Sequence, residues 1–172
     1  TILARFSTAT WLINCAAYTQ VDACEASPEL PMRVNGDAPG WIAKACRQFG
    51  IRMIHFSTDY VFDGKNPLPY KETDATNPVG VYGASKLKGE QGVMAHGKDP
   101  LIFRVQWLYG AHGNHFIKTL AALALTKPEL SIVNDQWGSP TWTWDLAGVI
   151  CEVIKTPPPS GIYHLHHEGY TT

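Results

Sequence analysis

Short apolar runs alternate along this sequence with longer stretches that have the apolar spacing of helices. The runs lack the strict alternation of apolar and polar residues that a half-exposed antiparallel strand shows, so they indicate strands buried on both faces. Alternating strands and helices predict an α/β fold with a mostly parallel sheet covered on both faces. The predicted strands are Trp11–Cys15, Ile51–Phe56, Leu101–Val105, Ser131–Val133 and Gly161–Leu165.

Four helices are predicted between and after these strands. Ser27 and Pro28 fit the N-cap and the first position of a helix that runs to Phe49 and ends at Gly50. A second helix spans about Val79 to Ala95, although its four glycines lower the helix propensity. The others are Asn114–Thr126, with an apolar face of Phe116, Ile117, Leu120, Leu123 and Ala124, and Asp145–Lys155.

Length and composition bound the function classes. The chain has 172 residues, which suits about one domain, and a formal net charge of −1, which gives no electrostatic argument for a nucleic-acid or membrane-surface protein. No apolar run reaches the roughly 18 residues of a membrane span. The four cysteines form no CxxC pair, so we expect buried or half-buried free thiols and a cytoplasmic protein.

Ligands of parallel α/β sheets bind beyond the carboxyl ends of the strands. Four segments that follow predicted strands or lie in the loops at that edge are therefore candidates for a binding site. They are Ala16–Tyr18, Ser57–Tyr60, Gln106–Tyr109 and the loop from Gln136 to Thr141.

The segment Tyr82-Gly-Ala-Ser-Lys86 carries the sharpest chemical signal. Residues i and i+4 of a helix share a face, so the phenol and the ammonium can meet one ligand, and the ammonium should lower the pKa of the tyrosine. With the hydroxyls of Ser57 and Thr58 at the sheet edge, this set suits reduction of a carbonyl. The alternative is structural: Tyr82 packs against the sheet and Lys86 is solvated. The chemistry alone leaves both open.

An ordered series of motifs resembles the extended short-chain dehydrogenase/reductase superfamily and, within it, the dTDP-4-dehydrorhamnose reductase family. The resemblance runs from Trp11 to Thr172. Its motifs are Ile13-Asn-Cys-Ala-Ala-Tyr-Thr-x-Val-Asp22, Val34-Asn-x-Asp-Ala-Pro39, Ser57-Thr-Asp-Tyr-Val-Phe-Asp-Gly64, Asn77-Pro-x-x-x-Tyr-Gly-x-Ser-Lys86 with Gly89-Glu90, Arg104-Val-x-Trp-x-Tyr-Gly110, Gly113-Asn-x-Phe116, Asp135-Gln-x-Gly-Ser-Pro-Thr141 and Gly161-Ile-Tyr-His-Leu165.

The resemblance implies a Rossmann-like, doubly wound sheet and a catalytic set of three residues. Tyr82 would donate a proton to the C4 oxygen of a keto sugar. Lys86 would hold the nicotinamide ribose and lower the pKa of Tyr82. Thr58 would bind the reacting carbonyl or orient Tyr82. The residues implied to contact the cofactor are Ala16, Ala17, Tyr18, Asn35, Tyr82 and Lys86, and those implied to contact the substrate are Thr58, Asp59, Tyr60, Trp107 and Gln136.

The implied function is reduction of dTDP-4-dehydrorhamnose to dTDP-rhamnose with NADPH or NADH. The implied organisation is one partial reductase domain over residues 1–172, with a substrate lobe receiving residues 111–145 and 160–172. The expected partner is the nucleotide sugar, with no nucleic acid and no membrane. A homodimer and a structural magnesium ion both stay open, and the sequence indicates no metal site. His164, His166 and His167 are expected to be surface histidines.

Two departures from the family pattern qualify this reading. The Gly-rich turn G-x-x-G-x-x-G that opens family members and receives the pyrophosphate is absent, and the sequence stops where the family begins another helix. We therefore expect an interior portion of the family's chain. Two alternatives remain: an epimerase or dehydratase of the same superfamily, and a non-catalytic NADP-binding subunit similar to the regulatory subunit of methionine adenosyltransferase.

Overall fold

The computed structural model describes Arg5 and residues 8–172, which form two compact units. One unit comprises the described residues within Thr1–Arg104 together with Pro158–His164, and the other comprises Val105–Pro157 and Leu165–Thr172. In chain order the elements are β1 (Trp11–Asn14), α1 (Val21–Ala26), α2 (Glu29–Pro31), a π-helical segment (Met32–Asp37), α3 (Ala38–Gln48), β2 (Arg52–Thr58), a 3₁₀ turn (Asp59–Val61), α4 (Val81–His96), β3 (Leu101–Val105), β4 (Leu108–Tyr109), α5 (Phe116–Ala124), β5 (Thr141–Trp142), α6 (Thr143–Lys155) and β6 (Gly161–His164).

The first unit is built on a four-stranded sheet of order β1-β2-β3-β6. Strands β1 and β2 are parallel, with Ile13 opposite Ile54, and strands β3 and β6 are parallel, with Phe103 opposite Tyr163. Parallel neighbours require crossover connections, which explains the helices between the strands. The predicted α/β fold with a parallel sheet is confirmed.

Helices α3 and α4 pack against β2 and against each other, and the core lies between them and the sheet. Its centre consists of four fully buried side chains, Ala43, Met53, Val93 and Ile102. Leu12, Ile42 and Ile162 pack against this cluster. Burial of a side chain such as Ile102 contributes about 1.5–3 kcal/mol to folding. The packing of this cluster therefore sets the distance between α4 and the sheet.

Helix α4 spans the predicted region despite its glycines, because two of them stand where another part of the backbone comes too close for a side chain. A Cβ at Gly83 would collide with the carbonyl oxygen of Tyr60, and a Cβ at Gly89 would collide with that of Asn35. The glycines that lower the helix propensity thus allow α4 to approach the 3₁₀ turn and the π-helical segment.

The helix predicted to start at Ser27 needs correction. A separate short helix, α1, precedes it, and the Ser27 N–H donates to the carbonyl of Ala23 at 3.1 Å as the C-cap of α1. Helix α2 then begins at Glu29 after Pro28, and neither cap position uses a side-chain hydrogen bond. The sequence from Val21 to Ala26 carries only six residues of helical pattern, too few to separate from a loop.

The second unit contains the two-stranded parallel pair of β4 and β5, the helices α5 and α6, and an isolated antiparallel bridge between Gly138 and Thr171. The strand predicted at Ser131–Val133 is wrong: these residues are irregular and exposed. Their β-branched side chains favour a strand only where a partner strand covers them. The strands β4 and β5 escaped prediction because each has two residues.

The predicted apolar face of α5 exists as a pattern but is not buried. None of the residues of α5 is buried, and Phe116 keeps 64% of its surface exposed. Helix α6, in contrast, buries Leu146 and Ile150. Within the described part of the chain, no helix combines the length and the apolarity needed to cross a membrane.

Candidate active site

The three residues of the predicted catalytic set meet where β2 ends. Thr58 is the last residue of β2, and Tyr82 and Lys86 lie on the first two turns of α4. The hydroxyl of Thr58 lies close enough to the phenol of Tyr82 to influence its pKa. The rings of Tyr82 and Tyr60 pack edge to face with centroids 5.5 Å apart. The structure therefore places a hydroxyl, a phenol and an ammonium at the carboxyl edge of the sheet.

The prediction that the pKa of Tyr82 is lowered is wrong for this arrangement. Burial raises the pKa of Tyr82 to about 12, the hydroxyl of Thr58 opposes that rise, and the negative charge of Asp59 adds to it. The ammonium of Lys86 does not outweigh this rise, and its Nζ donates to the backbone of β2. Tyr82 therefore holds its proton at neutral pH, as a proton donor must.

Lys86 is 3% exposed, and its Nζ donates a 2.6 Å hydrogen bond to the carbonyl oxygen of Phe56. Burial lowers the pKa of Lys86 to about 8, and the charge of Glu90, one turn further along α4, opposes this. An ammonium has three N–H donors. One is used on Phe56, so the group retains capacity for the hydroxyls of a ribose. The alternative in which Lys86 is solvated is excluded.

Asn35 connects the Ala16–Tyr18 loop to the helix that carries Tyr82. Its Oδ1 accepts from the N–H of Tyr18 at 2.8 Å, and its Nδ2 donates to the carbonyl of Tyr18 at 2.9 Å and to Ser85 Oγ at 3.1 Å. Ser85 Oγ in turn donates to the carbonyl oxygen of Tyr82 at 2.7 Å. Asn35 is buried in the π-helical segment, a feature that is frequent at functional sites.

The first residues of the loop after β1 are also held. Ala16 N donates to Asn14 Oδ1 at 3.2 Å, while Ala16 and Ala17 themselves remain exposed. Asn14 and Ala16 line one side of a cavity of about 360 Å³ whose other walls are mostly apolar. In the loop that is predicted to contact the cofactor, the backbone is thus held by a hydrogen bond, while the residues themselves are exposed.

Two further carboxylates position α4. Glu25 Oε1 of α1 accepts from the N–H of Val81 at 2.7 Å, so a negative charge caps the first turn of the helix. Near the middle of α4, Glu90 forms a buried bidentate ion pair with Arg104 of β3, with distances of 2.9 and 2.8 Å. The Arg104 guanidinium also lies 5.0 Å above the ring of Phe62.

The segment after Thr58 forms a tight turn. Thr58 Oγ1 donates to Asp59 Oδ1 at 3.0 Å and accepts from the N–H of Tyr60 at 3.2 Å. Tyr60 remains 42% exposed. Asp63 anchors the following loop by accepting from the hydroxyl of Tyr70 at 2.7 Å and from the amide of Asn77 at 3.1 Å. These bonds lower the pKa of Asp63 to about 2, so its role is structural.

The remaining predicted substrate residues belong to the second unit. Trp107 has a φ of 45°, in the left-handed region, and its carbonyl accepts from Thr141 N at 3.1 Å. Its ring lies so close to Gly138 that a Cβ there would overlap it. Gln136, two residues earlier, is exposed. The structure thus brings Trp107 to the predicted Gln136–Thr141 loop, and strained backbone of this kind is often found at functional sites.

Sequence reasoning missed several residues that hold this site. Asn14 and Ser85 stood inside quoted motifs without a role, and Glu25 lies in a helix that was not predicted. His55, in the middle of β2, is fully buried, and its Nδ1 lies 3.1 Å from Asn14 Nδ2. All four cysteines are free, but Cys15 and Cys151 are exposed rather than buried. Among Arg5 and residues 8–172, no cluster of three or more His, Cys, Asp or Glu could hold a metal ion.

Comparisons with known proteins identify a family and solved structures with the same fold. The model of the RmlD substrate binding domain matches residues 2–172. The dTDP-4-dehydrorhamnose reductase of Escherichia coli is 42% identical over 165 residues, which cover 94% of this chain and 55% of the relative. The crystal structure of the Bacillus anthracis dTDP-4-dehydrorhamnose reductase in complex with NADP superposes with a TM-score of 0.94 at 37% identity, covering 99% of this chain and 61% of that one.

A dTDP-4-dehydrorhamnose reductase orthologue from Clostridium acetobutylicum gives a TM-score of 0.94 at 40% identity, over 99% of this chain and 60% of that one. The chain thus spans little more than half the length of the curated relative given above. The match to the family model extends over nearly the whole sequence and includes both units. The chain belongs to the RmlD substrate-binding-domain family.

Proposed function

We propose that this chain carries the proton-donating and substrate-facing residues of an NADPH-dependent reductase, which reduces the 4-keto group of dTDP-4-dehydrorhamnose to give dTDP-rhamnose. The observation that carries the proposal is the convergence of Thr58, Tyr82 and Lys86 at the end of β2. The names of the relatives, which are dTDP-4-dehydrorhamnose reductases, support the substrate, and the NADP complex of one of them supports the cofactor.

Tyr82 is the acid of the proposed reaction. Its raised pKa keeps the phenol protonated at neutral pH, and the alkoxide formed by reduction of a ketone is a stronger base than a phenolate, so the proton moves from Tyr82 Oη to the sugar C4 oxygen. The Thr58 hydroxyl, next to Tyr82, orients the phenol and the reacting oxygen. A nicotinamide cofactor, when bound, supplies the hydride.

The residues present fit such a cofactor. The buried Lys86 ammonium retains N–H donors beyond its bond to Phe56, and ribose hydroxyls are suitable acceptors. Ala16 and Ala17 are exposed and have small side chains, so the planar ring of a cofactor could approach their backbone closely. Asn35 holds the same loop through Tyr18. We therefore assign the cofactor contacts to Ala16, Ala17, Tyr18, Asn35, Tyr82 and Lys86.

We assign the substrate contacts to Thr58, Asp59, Tyr60, Trp107 and Gln136. Tyr60 and Gln136 present exposed side chains, and the strained backbone of Trp107 supports a functional role for its ring. The contributions to the substrate lobe would lie within residues 111–145 and 160–172, apart from Gly161–His164, which form β6 of the first unit's sheet. The free state of the four cysteines supports a cytoplasmic location.

The test measures oxidation of NADPH in the presence of dTDP-4-dehydrorhamnose. The oxidation is monitored as the loss of absorbance of the reduced cofactor. It is made on the product of the complete reading frame, with its mass verified. Tyr82→Phe should keep the fold and lower kcat by at least about 100-fold, because the ring packs similarly but carries no proton. Tyr163→Phe is the matched control, since among the described residues its hydroxyl donates only to the carbonyl oxygen of Pro159, and it lies outside the proposed site.

Unchanged turnover in Tyr82→Phe would remove the proposed acid from the mechanism. Binding of NADPH by the wild-type protein with no turnover of the keto sugar would favour the non-catalytic NADP-binding subunit instead. Conversion of the nucleotide sugar to another product with no net consumption of NADPH would favour an epimerase or a dehydratase.

A further inference from the structure

The pair of Asn14 and His55 lies beneath the loop that the proposed function assigns to the cofactor. Asn14 ends β1, and His55 is its opposite partner in the middle of β2. Asn14 Nδ2 lies 3.1 Å from His55 Nδ1, and Asn14 Oδ1 accepts from the N–H of Ala16 at 3.2 Å. Both side chains are buried, and His55 has no exposed surface.

These bonds fix the orientation of the Asn14 amide and the tautomer of the His55 ring. Ala16 N is a donor only, so the atom of the Asn14 amide that faces it must be the oxygen. The amide nitrogen then faces His55, and His55 Nδ1 must accept. The imidazole is therefore neutral and carries its proton on Nε2. Burial, together with the nearby charge of Lys86, lowers the pKa of His55 to about 3, which agrees with a neutral ring.

The consequence reaches the backbone of the loop. A neutral His55 with a free Nδ1 lone pair holds the Asn14 amide in the orientation in which its oxygen captures Ala16 N. The loop is then held at one end by Asn14 and at the other by Asn35, which binds both backbone groups of Tyr18. Between these two points, Ala17 is exposed.

We propose that His55 is a positioning residue for cofactor binding: it holds the Asn14 amide and thereby sets the conformation of the Ala16–Tyr18 loop. The inference rests on the proposed function only in taking this loop to contact the cofactor.

The alternative, that the His55 ring only fills space in the core, does not account for a polar side chain at this position. His55 Nε2 is buried and has no hydrogen-bond partner among the residues that the structure describes. A buried polar atom in that situation destabilises the fold, and an aliphatic side chain would fill the same space without it. The bond to Asn14 is what an aliphatic residue cannot replace.

The test compares two variants of the product of the complete reading frame. His55→Asn places an amide oxygen close to the position of Nδ1 and retains an acceptor for Asn14, but leaves a void. His55→Leu nearly conserves the volume but has no acceptor. The first measurement is amide hydrogen exchange at Ala16 without any cofactor. We expect His55→Leu to lower protection of the Ala16 amide by about tenfold, the size of one hydrogen bond, and His55→Asn to retain most of it.

The second measurement is the Kd for NADPH, which should weaken about tenfold in His55→Leu and less in His55→Asn. If the ring only fills space, the order of the two variants reverses, because Asn leaves the larger void. That reversed order, or equal protection of Ala16 in both variants, overturns the inference. If the exchange results hold while the wild-type protein binds no NADPH, the proposed function fails and the positioning of the loop stands.

A measurement on the wild-type protein covers the case in which neither variant folds. The ¹⁵N chemical shifts of the His55 ring distinguish a protonated Nε2 from a protonated Nδ1. A proton on Nε2 with Nδ1 accepting is expected at neutral pH. A proton on Nδ1 overturns the inference, because Nδ1 could then not accept from Asn14.

Discussion

Helices α4 and α5 contrast in pattern and in burial. Helix α4 contains three glycines and has little apolar periodicity, yet it buries Gly83, Ser85, Lys86, Gly89, Glu90 and Val93. Helix α5 has a regular apolar face, yet none of its residues is buried. Apolar periodicity shows which face of a helix is suited to burial, whereas burial itself depends on the presence of a covering surface. Glycines at close contacts and buried charges mark the helix around which the candidate site is built.

The close contact at Gly89 gives the largest expected effect. Gly89→Ala places a methyl group against the carbonyl oxygen of Asn35, which is backbone and cannot move away without disturbing the π-helical segment. We expect a loss of more than about 4 kcal/mol in the free energy of unfolding, measured by urea denaturation.

The matched control for Gly89→Ala lies in α6. Gly148 has open space where a Cβ would stand, so Gly148→Ala should stabilise the chain by about 0.5–1 kcal/mol through helix propensity alone. Similar effects of the two substitutions would show that close contact does not explain the glycines of α4.

The buried ion pair of α4 is expected to give the next largest effect. Glu90→Gln leaves the Arg104 guanidinium buried without its counter-charge and should cost about 3–4 kcal/mol. The double variant Glu90→Gln with Arg104→Met removes both charges and should recover much of that loss in the same denaturation experiment. A double variant as unstable as Glu90→Gln alone would mean that the loss comes from packing and not from an unpaired charge.

The exposed face of α5 should give the smallest effect. Ile117→Ser removes an apolar side chain that the described residues leave 46% exposed, so the free energy of unfolding should change by less than about 0.5 kcal/mol. Val93→Ala in α4, where the side chain is fully buried, is the comparison and should cost about 1–2 kcal/mol or more. A loss at Ile117 as large as that at Val93 would show that α5 is covered in solution.

The sequence was sufficient to predict the parallel sheet and the bounds of β3, because a short apolar run after Pro100, interrupted only by Arg104, identifies a buried strand. The position of Thr58, Tyr82 and Lys86 followed from strand ends and helical spacing. The short strands β4 and β5 were beyond prediction, since two residues are too few to show the alternation of apolar and polar side chains that identifies a strand. The direction of the pKa shift of Tyr82 was also beyond prediction, because it depends on how deeply the phenol is buried and on the charge of Asp59 beside it.

The carboxamide of Asn35 has the chemistry of a peptide group, with one carbonyl and one N–H face. By binding both the N–H and the carbonyl of Tyr18, it takes the place that a neighbouring strand would occupy in a ladder. The loop after β1 is therefore bonded like a strand at one residue without the length of a second strand beside it. The Asn35 side chain thus holds the backbone of the loop as a sheet partner would. It leaves the other backbone groups of the loop accessible to a ligand.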